Sequence, residues 1–325
     1  MLPVYQQTHA SEVAVKIHKR WKLLAVAAAL TGMSLNVNAG VLAQSVLEIT
    51  NFRFLNPDGS IISVGQFDFL AFQDSSQVTA SLNGTTATQT INSTAFGTLD
   101  LPQQCVGNCA GFPENDYSHR LLATVNVARG DSLLQGAPIL NPVAPSPADA
   151  HVVAEAQLIG GGNGNVQGNL GLTASFSFSL TNSQAVTVSL DSLSHLIASI
   201  SASSNGTARA SDQWVIEVAD AAGNTVFSWA PNGLPGGITG GVEIVDTCNL
   251  QRTVNAQLPG QTNLFDCAGT HSATTGILDA AQTFTLGLRH QNNADATQIP
   301  EPGTVLLMGL AFAGLGFGAY RRKSA

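Results

Sequence analysis

Between residues 40 and 298, apolar and polar side chains alternate with a period of two. Leu172, Ala174, Phe176, Phe178 and Leu180 interleave with Thr173, Ser175, Ser177 and Ser179. That spacing puts the apolar side chains on one face of a strand and the hydroxyls on the other. Leu121, Ala123, Val125 and Val127 repeat the pattern, as do Phe284, Leu286 and Leu288. Trp214, Ile216 and Val218 lead into the turn Asp220-Ala221-Ala222-Gly223-Asn224, and Val226 to Trp229 returns, predicting a hairpin. Leu47 to Phe54, Phe67 to Phe72, Val78 to Leu82, Val186 to Leu190 and Val242 to Val245 add further strands. Roughly ten short strands with polar turns, and no amphipathic helix, predict an all-β fold: an antiparallel β-sandwich, jelly-roll-like. About 260 residues bury one good core, so a single body over 40–298 is the simplest count. Two stretches break the alternation. Asn141 to Ala150 carries three prolines, and Gly160 to Gly171 holds six glycines. Each reads either as a linker between subdomains, within 141–171, or as a long sandwich loop.

The two ends follow a different grammar. Lys16, Lys19, Arg20 and Lys22 precede the short apolar run Leu23 to Leu35, and Val37-Asn38-Ala39 supplies small residues for cleavage. Residues 1–39 therefore read as a signal peptide cut after Ala39, with a second cut point after Ala43. Signal peptidase and the Sec translocon are the partners this implies. At the other end, Ile299-Pro300-Glu301-Pro302-Gly303 precedes the uncharged stretch Thr304 to Tyr320, and Arg321-Arg322-Lys323 closes the chain. The stretch 304–320 is just long enough for a transmembrane helix, and the basic cluster keeps that end cytoplasmic. Proline fixes its own φ and biases the preceding residue towards extended backbone, so Ile299 to Pro302 should be a stiff strip presenting the Glu301 carboxylate.

Pro-Glu-Pro, a Gly-rich span and a basic tail, in this order over 299–325, resemble the PEP-CTERM sorting signal of Gram-negative bacteria. The resemblance implies recognition by an exosortase, a membrane transpeptidase, at Pro300, Glu301, Pro302 and Gly303, with Arg321, Arg322 and Lys323 holding orientation. It further implies transient anchoring in the inner membrane, then delivery to the outer membrane, cell surface or extracellular matrix. Leu47-Glu48-Ile49-Thr50-Asn51-Phe52, Ser175-Phe176-Ser177-Phe178 and Thr225 to Gly233 also resemble a soluble region recurring among PEP-CTERM proteins. That likeness brings no activity with it.

Charge then excludes several functions. Residues 40–298 carry six basic residues, all Arg, against nineteen acids, a net of −13. Without a basic patch there is no nucleic-acid partner to expect, and without a lysine there is no P-loop. Charged residues make up 10% of the chain against a usual figure of about 25%, so Ser, Thr, Asn and Gln must solvate the surface.

Four cysteines in an exported body favour disulfides, and local pairing of Cys105 with Cys109 and of Cys248 with Cys267 is the economical choice among three connectivities. The C-x3-C spacing and scattered histidines (His119, His151, His195, His271, His290) match no zinc array, so neither metal nor cofactor is expected. His195 follows Asp191 and Ser192, but no nucleophile elbow accompanies them. Glu114 and Asp116 are one of many acid pairs that glycoside hydrolysis could use. Trp214 and Trp229 should sit in the core rather than form a sugar platform. Asn83, Asn92 and Asn205 match the N-glycosylation pattern and are expected to be turns. Gly161 to Asn165 hints at a calcium nonapeptide, but Val166 takes the acidic position and the motif occurs once. The function expected is a non-enzymatic surface or matrix protein associated with extracellular polysaccharide. The alternative is a secreted polysaccharide hydrolase with a carboxylate pair in a deep cleft.

Overall fold

The structure, a computed structural model, describes residues 40–94, 98–139, 146–159 and 164–299. The predicted signal peptide, with its cut after Ala39, and the sorting signal from Pro300 onward lie outside the described residues. Within them no helix is long and apolar enough to cross a membrane.

The described chain is all-β and antiparallel, in two sheets that share one core. The strands are β1 (Gly40–Leu55), β2 (Phe67–Leu82), β3 (Thr85–Ser93), β4 (Leu99–Gly107), β5 (Val127–Gln135), β6 (Ala148–Ile159), β7 (Gly164–Leu180) and β8 (Thr187–Ile200). They continue with β9 (Asn205–Asp220), β10 (Thr225–Trp229), β11 (Ile238–Thr239), β12 (Gly241–Asp246), β13 (Thr253–Ala256), β14 (Thr262–Thr275) and β15 (Phe284–Ile299). The first sheet runs β12-β14-β8-β1-β6-β5-β4. The second runs β11-β10-β9-β15-β7-β2-β3, with β13 pairing β9 beside β10. Neither sheet closes into a barrel, and consecutive strands cross repeatedly from one sheet to the other.

Alternation dictates which side of each strand is buried. In β15, Phe284, Leu286, Leu288, His290, Asn292, Ala294, Ala296 and Gln298 all face inward. The core divides by side-chain size. One block is aromatic, with Phe52, Phe54, Phe176, Phe178, Trp214 and Trp229. The other is rich in alanine, including Ala43, Ala154, Ala198, Ala210 and Ala294. Between them lies a buried polar seam containing Asp212, Ser194, His290 and Asn292. The sheets approach closely at Gly130 of β5, where an added Cβ would lie 2.1 Å from Val78 Cγ2 on β2. Only glycine fits there.

Several sequence expectations need correction. The alternation at 121–127 becomes strand only from Val127, and Leu121 and Leu122 are exposed. Side chains of the sheet take the backbone N–H groups of Arg120 and Thr124, so this stretch needs no strand partner. Within the glycine-rich stretch, residues 164–171 are not loop: they open β7 and pair with β2 on one side and β15 on the other. Pairing on both edges outweighs the poor strand propensity of glycine. The interval between the two stretches holds β6, hydrogen-bonded between β1 and β5. Asn83 does form a turn, with Asn83 and Gly84 at φ 50° and 84°, the geometry of a two-residue hairpin loop. Asn92 instead lies inside β3, opposite Ser75, and Asn205 opens β9.

Candidate functional site

Two regions of the body concentrate chemistry. The first is the pole where the chain enters and leaves. The Gly40 N–H donates to Ser201 Oγ at 2.9 Å, and the Gly40 carbonyl accepts from the Ser201 N–H at 2.9 Å. Ile299, the last residue of β15, pairs with Asn205. Ser201 to Ser204 is the connection between β8 and β9, so both ends of the body emerge beside one turn.

The second region is a strap, residues 108–126, laid over the outer face of the first sheet between β4 and β5. The disulfide Cys105–Cys109 (Cα–Cα 6.0 Å) holds its start. Sequence explains why it stays down. Beneath it the outward faces of β1, β5 and β6 carry Gln44, Arg129, Asp131, Glu155 and Gln157, all buried; all but Glu155 hydrogen-bond to strap backbone, and Glu155 meets the Arg120 side chain. Gln44 donates to the Ser118 carbonyl (3.0 Å) and accepts from the Arg120 N–H (2.8 Å). Gln157 accepts from the Thr124 N–H at 2.9 Å, and Arg129 Nη1 donates to the Asp116 carbonyl at 2.8 Å. A buried ion pair lies underneath, with Arg129 Nε at 2.8 Å and Arg120 Nε at 3.2 Å from Glu155. Both guanidiniums cover the Phe112 ring, at 4.3 Å for Arg120 and 4.8 Å for Arg129.

At one end of the strap, Asp100, Glu114 and Asp131 each bring a carboxylate oxygen within 4.8 Å of the other two. Burial pushes the Asp131 carboxyl up to about 7, with Glu114 and Asp100 adding to the rise. Tyr117 beside them is pushed well above its ordinary range by burial and then by these same acids. Asp116 behaves oppositely: burial would raise it, but hydrogen bonds from Ser118 and the charges of Arg129 and Arg120 hold it below the usual range. At the other end, the His119 ring stacks on His195 with centroids 3.9 Å apart, and His195 Nδ1 bonds Asp266. Burial, and then His195, hold His119 below its ordinary value.

The residues singled out from sequence are therefore dispersed. Glu114 and Asp116 do not act as a pair, since one joins the acid cluster and the other joins the arginines. Trp214 and Trp229 are fully buried and packed edge to face at 5.9 Å. Cys248 pairs with Cys267 (Cα–Cα 5.9 Å), so both cysteine pairs are local. His195 sits beneath the strap and forms no triad with its sequence neighbours: Asp191 is committed to Asn51 and Thr270, and Ser192 Oγ lies 2.8 Å from Nε2 of buried His271, whose Nδ1 is 3.1 Å from Asp246. The strap itself went unnoticed in sequence. The available signal was local density: Glu114-Asn-Asp-Tyr-Ser-His-Arg120 packs seven chemistry-bearing side chains together in a chain only 10% charged.

Hollows lie elsewhere in the body. A cavity of about 50 Å³ lies between the sheets, lined by Phe52, Phe176 and Trp214 with Asp74 and Asp149 at its edge. Burial pushes Asp74 up to about 6. An open groove of about 580 Å³ on the second sheet is lined by Thr207, Arg209, Thr253, Asn255, Gln257 and Asp295.

No curated protein matches the chain. Among solved structures it aligns with infectious bursal virus-derived T=1 particles at 11% identity, covering 88% of this chain and 86% of that one, with a TM-score of 0.12. The infectious bursal disease virus VP2 subviral particle aligns at 8% identity, covering 85% and 87%, with a TM-score of 0.10. Neither likeness carries an argument about fold or function. The C-terminus does find a match: residues 298–323 fit the PEP-CTERM protein-sorting motif, and its first two residues, Gln298 and Ile299, are the last two of β15. The chain is thus a PEP-CTERM-containing exosortase substrate, exported and sorted by way of the membrane.

Proposed function

We propose that the sorted body is a non-catalytic component of the cell surface or extracellular matrix, a jelly-roll-like sandwich that associates with polysaccharide. The observation that carries this reading is the shared pole of Gly40 and Ile299, both beside Ser201–Asn205. With both ends at one pole, the body stands on the membrane by that pole while signal peptidase cuts after Ala39 and exosortase cuts within Pro300–Gly303. Both outer faces and the far pole are left to meet the matrix. The outer face of the second sheet suits a hydroxyl-rich ligand, because its side chains are themselves paired hydroxyls: Thr79 with Thr88 (3.2 Å), Ser81 with Thr86 (3.0 Å) and Ser177 with Thr285 (3.2 Å). The groove along Thr207, Arg209 and Asn255 falls in the size range of small-molecule sites, about 300–1,000 Å³.

Hydrolysis is less well supported. The groove offers one carboxylate, Asp295, where two are required. The inter-sheet cavity, at about 50 Å³, is too small for a sugar ring. Asp131 has a raised pKa but no exposed surface from which to protonate a glycosidic oxygen.

The test is a glycan array on the purified mature protein, with hydrolysis assayed on the same sugars. Binding that Arg209→Ala and Asn255→Ala weaken, without product release, is expected. Released oligosaccharide would overturn the non-catalytic reading, and an empty array would overturn the polysaccharide association. In the native host, Glu301→Ala should leave uncleaved protein in the inner membrane. A surface form still carrying Arg321 would defeat the sorting route.

A further inference from the structure

We propose that Asp100, Glu114 and Asp131 form a calcium site that clips the strap to the first sheet. The three carboxylates come from separate pieces of chain: Asp100 from β4, Glu114 from the strap and Asp131 from β5. Their oxygens lie within 4.8 Å of one another, so at that upper limit a central point is about 2.8 Å from each. Calcium takes oxygen ligands at about 2.3–2.6 Å in flexible geometry, which a small contraction reaches; magnesium would need about 2.0–2.1 Å and near-ideal octahedral order.

An acidic cluster alone would prove little, and the decisive observation is Asp131. It is completely buried; its Oδ2 accepts the Asn115 N–H at 2.7 Å, but its Oδ1 has no hydrogen-bond partner among the described residues. A buried carboxylate oxygen with nothing to bond is costly. Arg129 on the same strand does not answer it: its Nε bonds Glu155, its Nη1 bonds the Asp116 carbonyl, and its Nη2 makes no hydrogen bond. The other two acids keep capacity for an ion, since Glu114 Oε1 accepts the Gln103 N–H (2.8 Å) and Asp100 Oδ2 accepts Asn115 Nδ2 (3.4 Å). Each leaves its second oxygen for coordination. A divalent cation would satisfy Asp131 Oδ1 and relieve the repulsion among three like charges in one step. An exported protein meets calcium at concentrations suited to weak sites, for which extracellular modules have Kd of about 10⁻⁴–10⁻³ M.

The experiment uses the full chain in detergent, stripped with a chelator and titrated calorimetrically with calcium chloride and, separately, magnesium chloride. One calcium per chain in that affinity range is expected, with magnesium weaker by at least about tenfold. Asp100→Asn and Glu114→Gln change exposed residues, so each should fold normally yet lose calcium affinity about tenfold or more. Tryptic cleavage after Arg120 should slow on adding calcium in wild type and not in these variants. Absence of calcium heat in wild type would overturn the proposal. So would binding that neither variant weakens, which would place the ion elsewhere.

Discussion

Glu155→Gln is the sharpest probe of the strap. The native carboxylate accepts three hydrogen bonds, at Oε2 from Arg129 Nε (2.8 Å) and Gln44 Nε2 (3.2 Å) and at Oε1 from Gln157 Nε2, and Oε1 also forms an ion pair with Arg120, whose Nε lies 3.2 Å away. Glutamine keeps the shape but supplies one acceptor oxygen, turns the other position into a donor facing donors, and removes the fully buried charge that Arg129 Nε meets at 2.8 Å, leaving Arg129 only Asp116, 3.9 Å from its Nη2. Arg129 and Glu155 are both fully buried, so solvent cannot compensate. Breaking a buried pair from one side costs about 3–5 kcal/mol. Replacing both partners by methionine should cost much less than the sum of the single changes, because no unpaired charge is left behind. Urea unfolding of the full chain in detergent measures the loss, with the exposed Glu217→Gln as a control expected to shift stability by less than about 0.5 kcal/mol. Limited trypsin digestion gives a local reading, since the body has no lysine and Arg120 is the strap's own cleavage point. A Glu155→Gln variant that loses less than about 1 kcal/mol and keeps Arg120 protected would refute the idea that this pair seats the strap.

Two further outcomes follow from the core and the chain ends. Burial pushes Asp212 up to about 6, against hydrogen bonds from Ser194 and the Arg252 N–H, so its folded pKa lies above its unfolded one. Its contribution is complete below about pH 4 and is lost as pH rises through about 6, so relative to Asp212→Asn the wild type should lose up to about 3 kcal/mol over that window in urea titrations at stepped pH. His290, held down to about 3 by burial, works in the opposite direction as pH falls below about 6.5, which is why the difference from Asp212→Asn rather than the raw wild-type curve must be read. Amino-terminal sequencing of the exported protein should begin at Gly40. A start at Gln44 would contradict this, since cutting after Ala43 would discard Val41, Leu42 and Ala43, which are buried and paired with both β6 and β8.

Sequence revealed most where one physical rule acts alone. Period-two alternation located β1, β2, β7, β9 and β15 because each has an apolar face turned to a shared core. The same rule failed at Leu121 to Val125, where alternation has no strand partner and the backbone is held by Gln44 and Gln157 from distant strands. Nothing in the local sequence announces such long-range capping. Gly164 to Gly171 failed for the converse reason: local composition says loop, and only the neighbouring β2 and β15 make it a strand. The acid cluster was invisible because Asp100, Glu114 and Asp131 are meaningless as a set until β4, the strap and β5 are adjacent. The sorting signal, in contrast, is read by its partner as a linear segment, so its residues were legible in order.

The placement of the terminal strands links the fold to the sorting route. β1 lies in the interior of the first sheet, between β8 and β6, and β15 in the interior of the second, between β9 and β7. The two also pack against each other across the core. Neither sheet can therefore be completed from the middle of the chain outward: the second sheet stays split between β9 and β7 until residues 284–299 arrive. Because β15 runs directly into the PEP-CTERM motif, the second sheet closes only once the residues adjoining that motif are available. Long-range closure of this kind is slow relative to local structure, since loop entropy must be overcome before the pairing energy is gained. On the sorting route proposed above, the apolar span would hold the chain at the membrane during that delay, when the unpaired edges of β9 and β7 are open to other chains. On that route, a cut within Pro300–Gly303 would leave every paired residue of β15 in place, so release would remove the tether without disturbing the sheet.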